Sequence, residues 1–169
     1  MTSICVTEFE TRLQWQGDAR ATLTSEHAPA LPLGGLGESP PLEDRWSPET
    51  MLVGATEGRT LQLFLQRERA EQIAILFYQS SAMGRRVEGH EGSPHFTDII
   101  VRPHVAVRSA EDEARVRHIF AELPCRCFPS AILQFTPRIE PVVEVWDEQR
   151  AMDRAPKSPP PASVSIHGR

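Results

Sequence analysis

The chain has 169 residues, enough for one hydrophobic core and its ends but strained for two domains. Hydrophobic residues make up 40%, an ordinary globular content; the net charge is −5 with no block of Lys and Arg, so binding to nucleic acid or an anionic membrane has no electrostatic footing. Three cysteines (Cys5, Cys125, Cys127) do not make a disulfide scaffold, no secretory leader is visible, and no apolar run approaches the ~18 residues of a membrane span, so a cytoplasmic protein is expected.

Residues 6–16 alternate between polar and apolar side chains and predict a half-buried strand. Gly17-Asp18 offers a turn, and Ala21-Thr-Leu-Thr continues as the second arm of a hairpin. Residues 28–47, rich in Pro and Gly, predict a connecting loop. Ser47-Pro48-Glu49 is the clearest helix start in the chain: a cap, a proline suited to the first turn, and an acid at the positive end of the helix dipole. The helix is expected to run to residues 69–70 with apolar residues on more than one face, hence mostly buried. Gly54 and Gly58 within it suggest close packing of another backbone.

Residues 73–81 predict a strand, 84–94 a turn, and 96–107 a second strand with Ile99, Val101, Val105 and Val107 on one parity. Ser109 opens a helix with acids in its first turn and a Val116, Ile119, Phe120, Leu123 face. Residues 125–133 predict a further helical turn or two, and 139–146 a last strand. From residue 148 the chain is polar and Pro-rich, so a domain over residues 1–147 followed by a mobile tail over 148–169 is expected. Strands, helix, strands, helix, strand, without regular alternation, favour an α+β domain with antiparallel sheets.

Three segments carry a family resemblance. Trp46-Ser-Pro-Glu-Thr-Met-Leu-Val-Gly-Ala resembles the Asn/Ser-Pro-Glu opening of the central helix in the OsmC/Ohr family. Phe96-Thr-Asp-Ile-Ile-Val-Arg-Pro resembles that family's long strand, and Cys127-Phe-Pro-Ser-Ala-Ile-Leu its Cys-Pro-x-Ser-x-x-Leu turn, with the proline one place later. The closing Glu140-Pro-Val-Val-Glu-Val is similar to its last strand. The match spans about residues 5–147. It implies an intertwined homodimer, with sheets packed around a long buried central helix and active sites between subunits.

The same resemblance implies thiol peroxidase chemistry without a cofactor: one cysteine attacks the peroxide O–O bond, and a second resolves the sulfenic acid as a disulfide. Glu49 matches the family's glutamate, and Cys127 its resolving cysteine. The attacking cysteine corresponds to position 59, and that residue is Arg59. A guanidinium stays protonated and cannot serve as the nucleophile. Arg59 has two readings: a charge paired with a carboxylate at a dimer interface, or part of a pocket for a small anionic ligand. Arg45 and Arg20 are the candidates for the family's thiolate-stabilising arginine. Cys125 with Cys127 leaves open an atypical thiol-dependent hydroperoxide reductase. His90 and His95 read as loop histidines rather than metal ligands, and no metal is expected.

Overall fold

The computed structural model describes residues 8–18, 20–34, 44–87, 94–123, 133 and 135–147. The expected helical turns at 125–133 and the tail from 148 lie outside the described residues, save Leu133, which has no helical assignment.

An antiparallel meander opens the chain: β1 (Arg12–Gly17), β2 (Arg20–Ser25) and β3 (Ala28–Leu33). The turn between β1 and β2 uses positive φ at Gly17 (96°) and Asp18 (48°), the two residue types that tolerate it best there. Residues 8–11 are not strand, so the first strand begins later than the alternation predicts. β3 occupies part of the region expected to be loop. Its Pro29 and Pro32 lack N–H donors, but β3 is an edge strand, where a missing donor is tolerated. Leu13, Leu23 and Leu31 lie opposite one another across the sheet, and Trp15, Ala21 and Leu33 form the next row. Ala21 and Leu33 are buried, whereas Leu13 and Trp15 are 61% and 70% exposed, so this apolar face is covered along only part of its width.

The meander is tied directly to the first helix. Trp46 N–H donates to Pro32 O and Gly34 N–H to Trp46 O, both at 3.0 Å. One residue later the chain enters α1 (Pro48–Glu71). Ser47 Oγ accepts from Thr50 N–H at 3.1 Å, and Thr50 Oγ1 accepts from Ser47 N–H at 2.9 Å, a reciprocal cap that satisfies two otherwise orphaned donors. At the other end Gln72 turns left-handed (φ 55°), and its N–H reaches back to Arg69 O. Of the 24 helical residues only Thr56, Thr60 and Phe64 are fully buried, so within one chain the helix is covered along one side.

The second sheet holds β4 (Ile75–Val87), β5 (His95–Val107), β6 (Arg138–Ile139) and β7 (Val142–Val145). β4 and β5 form a long antiparallel hairpin; β6 and β7 both pair with β5 in parallel. The expected last strand is thus two short strands, broken between them at Glu140-Pro141. Strand β4 runs through Gly84 to Val87, the start of the segment expected to be a turn, and His95, expected in a loop, is likewise in a strand. Helix α2 (Ala110–Glu122) bridges β5 and β6, capped by Ser109 Oγ, which accepts from Asp112 N–H at 3.1 Å. Among the described residues no helix is long and apolar enough to cross a membrane.

Both helices meet the sheet at one aromatic stack. Phe64 of α1 lies parallel to Phe120 of α2, with centroids 4.6 Å apart and planes at 9°, and also stacks on Tyr78 of β4 at 5.7 Å. Val105, Val107, Val116, Ile119, Leu123 and Val143 close around it. Arg67 of α1 pairs with Glu122 of α2 at 2.8 Å, locking the same junction at its rim.

Gly84 explains how closely α1 approaches the hairpin. A Cβ there would lie 2.6 Å from Val53 Cγ2 and 2.7 Å from Phe96 Cε1. Gly84→Ala is therefore expected to cost about 1–3 kcal/mol through overpacking, and Ser47→Ala about 1 kcal/mol through the lost cap. Urea unfolding of each variant against the parent measures both; a Gly84→Ala midpoint equal to the parent's would show that α1 is not held this close.

Candidate functional site

The start of α1 brings charge to the sheet. Glu49, in the first turn, accepts from Arg86 Nη1 of β4 at 2.6 Å. Its carboxyl is held below its ordinary value, first by its own backbone N–H at the helix start, then by Ser47 and by the Arg86 charge, with partial burial opposing. Two turns further along the same helix face, Glu57 Oε1 accepts the Ser80 hydroxyl at 2.5 Å. Next to Ser80 on the same strand face is Tyr78, whose hydroxyl is buried with no hydrogen-bond partner among the described residues. Burial pushes that hydroxyl's pKa up, the neighbouring Ser80 opposes the shift in part, and the Glu57 charge adds a still smaller upward effect.

Between these elements lies a groove of about 380 Å³, walled by Trp46, Val53 and Phe96 and bearing Glu49, Glu57 and Arg86. Gly54 and Gly84 contribute only backbone to its lining, and the Val53 and Phe96 side chains pack over Gly84.

Arg59 is not part of that groove. It lies two residues beyond Glu57, roughly 200° round the helix. Its Nη1 donates to Gln62 Oε1 at 2.7 Å, one turn on, while its Nε is buried with no acceptor among the described residues. No carboxylate of the described residues pairs with it. Among the described residues no other backbone supplies the close packing that Gly54 and Gly58 suggested: a Cβ on Gly54 would meet only the Trp46 ring, at 3.6 Å, and one on Gly58 would meet none of them within 4 Å.

Arg45, a candidate partner for a thiolate, donates from Nη1 to Leu33 O at 3.3 Å and so helps hold β3 to the helix start. Arg20 lies on β2. Cys125 and Cys127 lie outside the described residues, as do Cys5 and His90. Arg86, Ser80 and Tyr78 were not singled out from the sequence. Arg86 stands 37 residues from Glu49, and only the alternation of β4, had its strand been extended past Gly84, places Tyr78, Ser80, Ala82, Gly84 and Arg86 on one face. Among the described residues no three His, Cys, Asp or Glu side chains converge as a metal site.

No family model matches the sequence, and no curated protein matches it. Solved structures do. An OsmC-like protein of unknown function from Vibrio cholerae superposes with a TM-score of 0.68 at 15% identity, covering 81% of this chain and 100% of the other. The fold is OsmC-like. An OsmC-like protein from Mycoplasma pneumoniae gives 0.66 at 14% identity, covering 83% and 99%. An organic hydroperoxide resistance protein OsmC from Legionella pneumophila gives 0.61 at 10% identity, covering 84% and 100%. In the OsmC-like arrangement seen here the capped helix start, with its Glu49–Arg86 pair, faces the distal half of the hairpin.

Because the Glu49 carboxyl is depressed when folded, it stabilises the fold above its unfolded value of 4.5, and that contribution is lost as pH falls through the lower folded value. Both partners of the ion pair are more than a third exposed, so screening limits the pair to roughly 0.2–1 kcal/mol. Stability curves of the parent and Glu49→Gln are expected to separate above pH 4.5 and converge below it. Curves that separate only in acid would contradict this assignment.

Proposed function

We propose that this chain is a homodimeric member of the OsmC/Ohr family that binds a small anionic molecule through Arg59 and has lost the usual cysteine-based reduction of hydroperoxides. The fold and the ordered motifs from Trp46-Ser-Pro-Glu to Glu140-Pro-Val-Val support the family. By that resemblance Arg59 stands where the attacking cysteine belongs, and a guanidinium supplies no electron pair to a peroxide at neutral pH.

The observation that carries the reading is the state of that guanidinium. Its Nε is buried with no acceptor among the described residues, while a neutral amide occupies Nη1. A buried charged donor left unpaired is costly, and a planar fork of N–H groups is suited to a carboxylate or phosphate. An acceptor from outside the chain, a bound anion at a subunit interface, satisfies it. The uncovered side of α1, the open space at Gly58 and the exposed Leu13 and Trp15 support a second subunit as the rest of the enclosure.

Mixing the purified protein with cumene hydroperoxide and dithiothreitol is expected to give no peroxide loss beyond the uncatalysed rate. Turnover that disappears in Cys127→Ser would overturn the proposal in favour of an atypical peroxidase using Cys127 with Cys125. Calorimetric titration with benzoate is expected to show binding that weakens by roughly tenfold or more in Arg59→Met, the size of one charge-assisted bond.

A further inference from the structure

The groove beneath Trp46 carries a charge that its own residues leave unbalanced. Arg86, the only cation among the described residues that line it, is engaged with Glu49 at 2.6 Å. Glu57 receives one hydrogen bond, from the neutral Ser80 hydroxyl, and no Lys, Arg or His of the described residues pairs with it. Among the described lining residues Glu49, Glu57 and Arg86 sum to a formal charge of −1. The Glu57 side chain is part-buried, so water offsets that charge less than it does for a surface carboxylate.

The apolar walls share this bias. Trp46 and Phe96 are aromatic, and an aromatic ring attracts a cation over a neutral or anionic group. Val53 and Ala82 offer an apolar surface beside them.

We infer that this groove binds a small organic ammonium: its cationic head against Glu57, its aromatic or branched alkyl body against Trp46, Val53 and Phe96. The site is distinct from Arg59, which does not line the groove and selects the opposite charge. The two readings therefore fail independently.

The test uses the full-length protein and three matched probes, 2-phenylethylammonium, 2-phenylethanol and 3-phenylpropanoate, titrated by calorimetry and by tryptophan fluorescence. The ammonium is expected to bind saturably, the alcohol roughly tenfold more weakly, and the carboxylate least. Glu57→Gln should remove the preference of ammonium over alcohol, and Ala82→Leu should exclude both by filling the groove. In the parent protein, ammonium-induced NMR shifts should centre on the Trp46 indole and the Gly54 and Gly84 amides, a readout that needs neither variant to fold. Equal affinity for the ammonium and the alcohol, preference for the carboxylate, absence of binding, or shifts centred elsewhere would each overturn the inference. So would loss of ammonium binding as protein concentration rises, because a second copy would then occupy the groove.

Discussion

Phe64 is the contact on which the arrangement of this chain depends. It is fully buried, stacked nearly parallel on Phe120 and again on Tyr78, and so belongs at once to α1, α2 and the sheet. Aromatic stacking adds roughly 0.5–1.5 kcal/mol to the burial of each ring, but the geometric effect is larger than the energy suggests. Once Phe64 is seated, α1 has one direction across β4, and the residues one, two and four turns before it must lie on particular neighbours. Thr60 and Thr56 return their hydroxyls to the carbonyls four residues earlier, at 2.9 Å each, which lets two polar side chains be buried beside the aromatic core.

The two chemically distinctive regions of α1 follow from that placement. The face bearing Trp46, Glu49, Val53 and Glu57 is held over β4 and the start of β5, where Gly84 allows the backbone to come close. Arg59 projects from another side of the same helix, with its guanidinium partly enclosed and partly unsatisfied. One rigid element thus presents an acidic, aromatic-walled groove on one side and a fixed positive charge on another. The helix start couples to the N-terminal meander through Trp46 and Arg45, both of which bond backbone at the end of β3 or just before it.

What could be read from the sequence was local. Ser47-Pro48 and Ser109 announce their helices because a cap is satisfied within four residues, and the buried parity of Ile99, Val101, Val105 and Val107 is visible in β5 itself. Strand β3 was hidden because two prolines argue against any strand that must donate on both sides; its position at a sheet edge removes that demand and is not written in its six residues. Gly84 misled for a related reason. A glycine followed by two arginines signals a turn, whereas here it marks the close approach of Val53 and Phe96, a contact across 31 residues. The Glu49–Arg86 and Glu57–Ser80 bonds depend on that same extension of β4, so the site was illegible wherever the strand was.

The parallel pairing of β6 and β7 with β5 bears on how the chain reaches its fold. The β4–β5 hairpin forms from neighbours in sequence, and α1 precedes it directly. A parallel partner, by contrast, cannot arrive by a tight turn: the chain must leave β5, traverse α2 and return, so the ladder from Val101 to Ile139 closes a loop 38 residues long. The closure entropy of that loop is set against only the short β6 and β7 ladders, so the α2 contact with Phe64 helps hold the connection in place. In the finished fold the two short strands close the sheet beside β5, on the side away from β4. Trp146, buried against Phe77 at 5.1 Å just beyond β7 and donating its backbone N–H to Val107 O, ties the end of that closing strand to both arms of the hairpin.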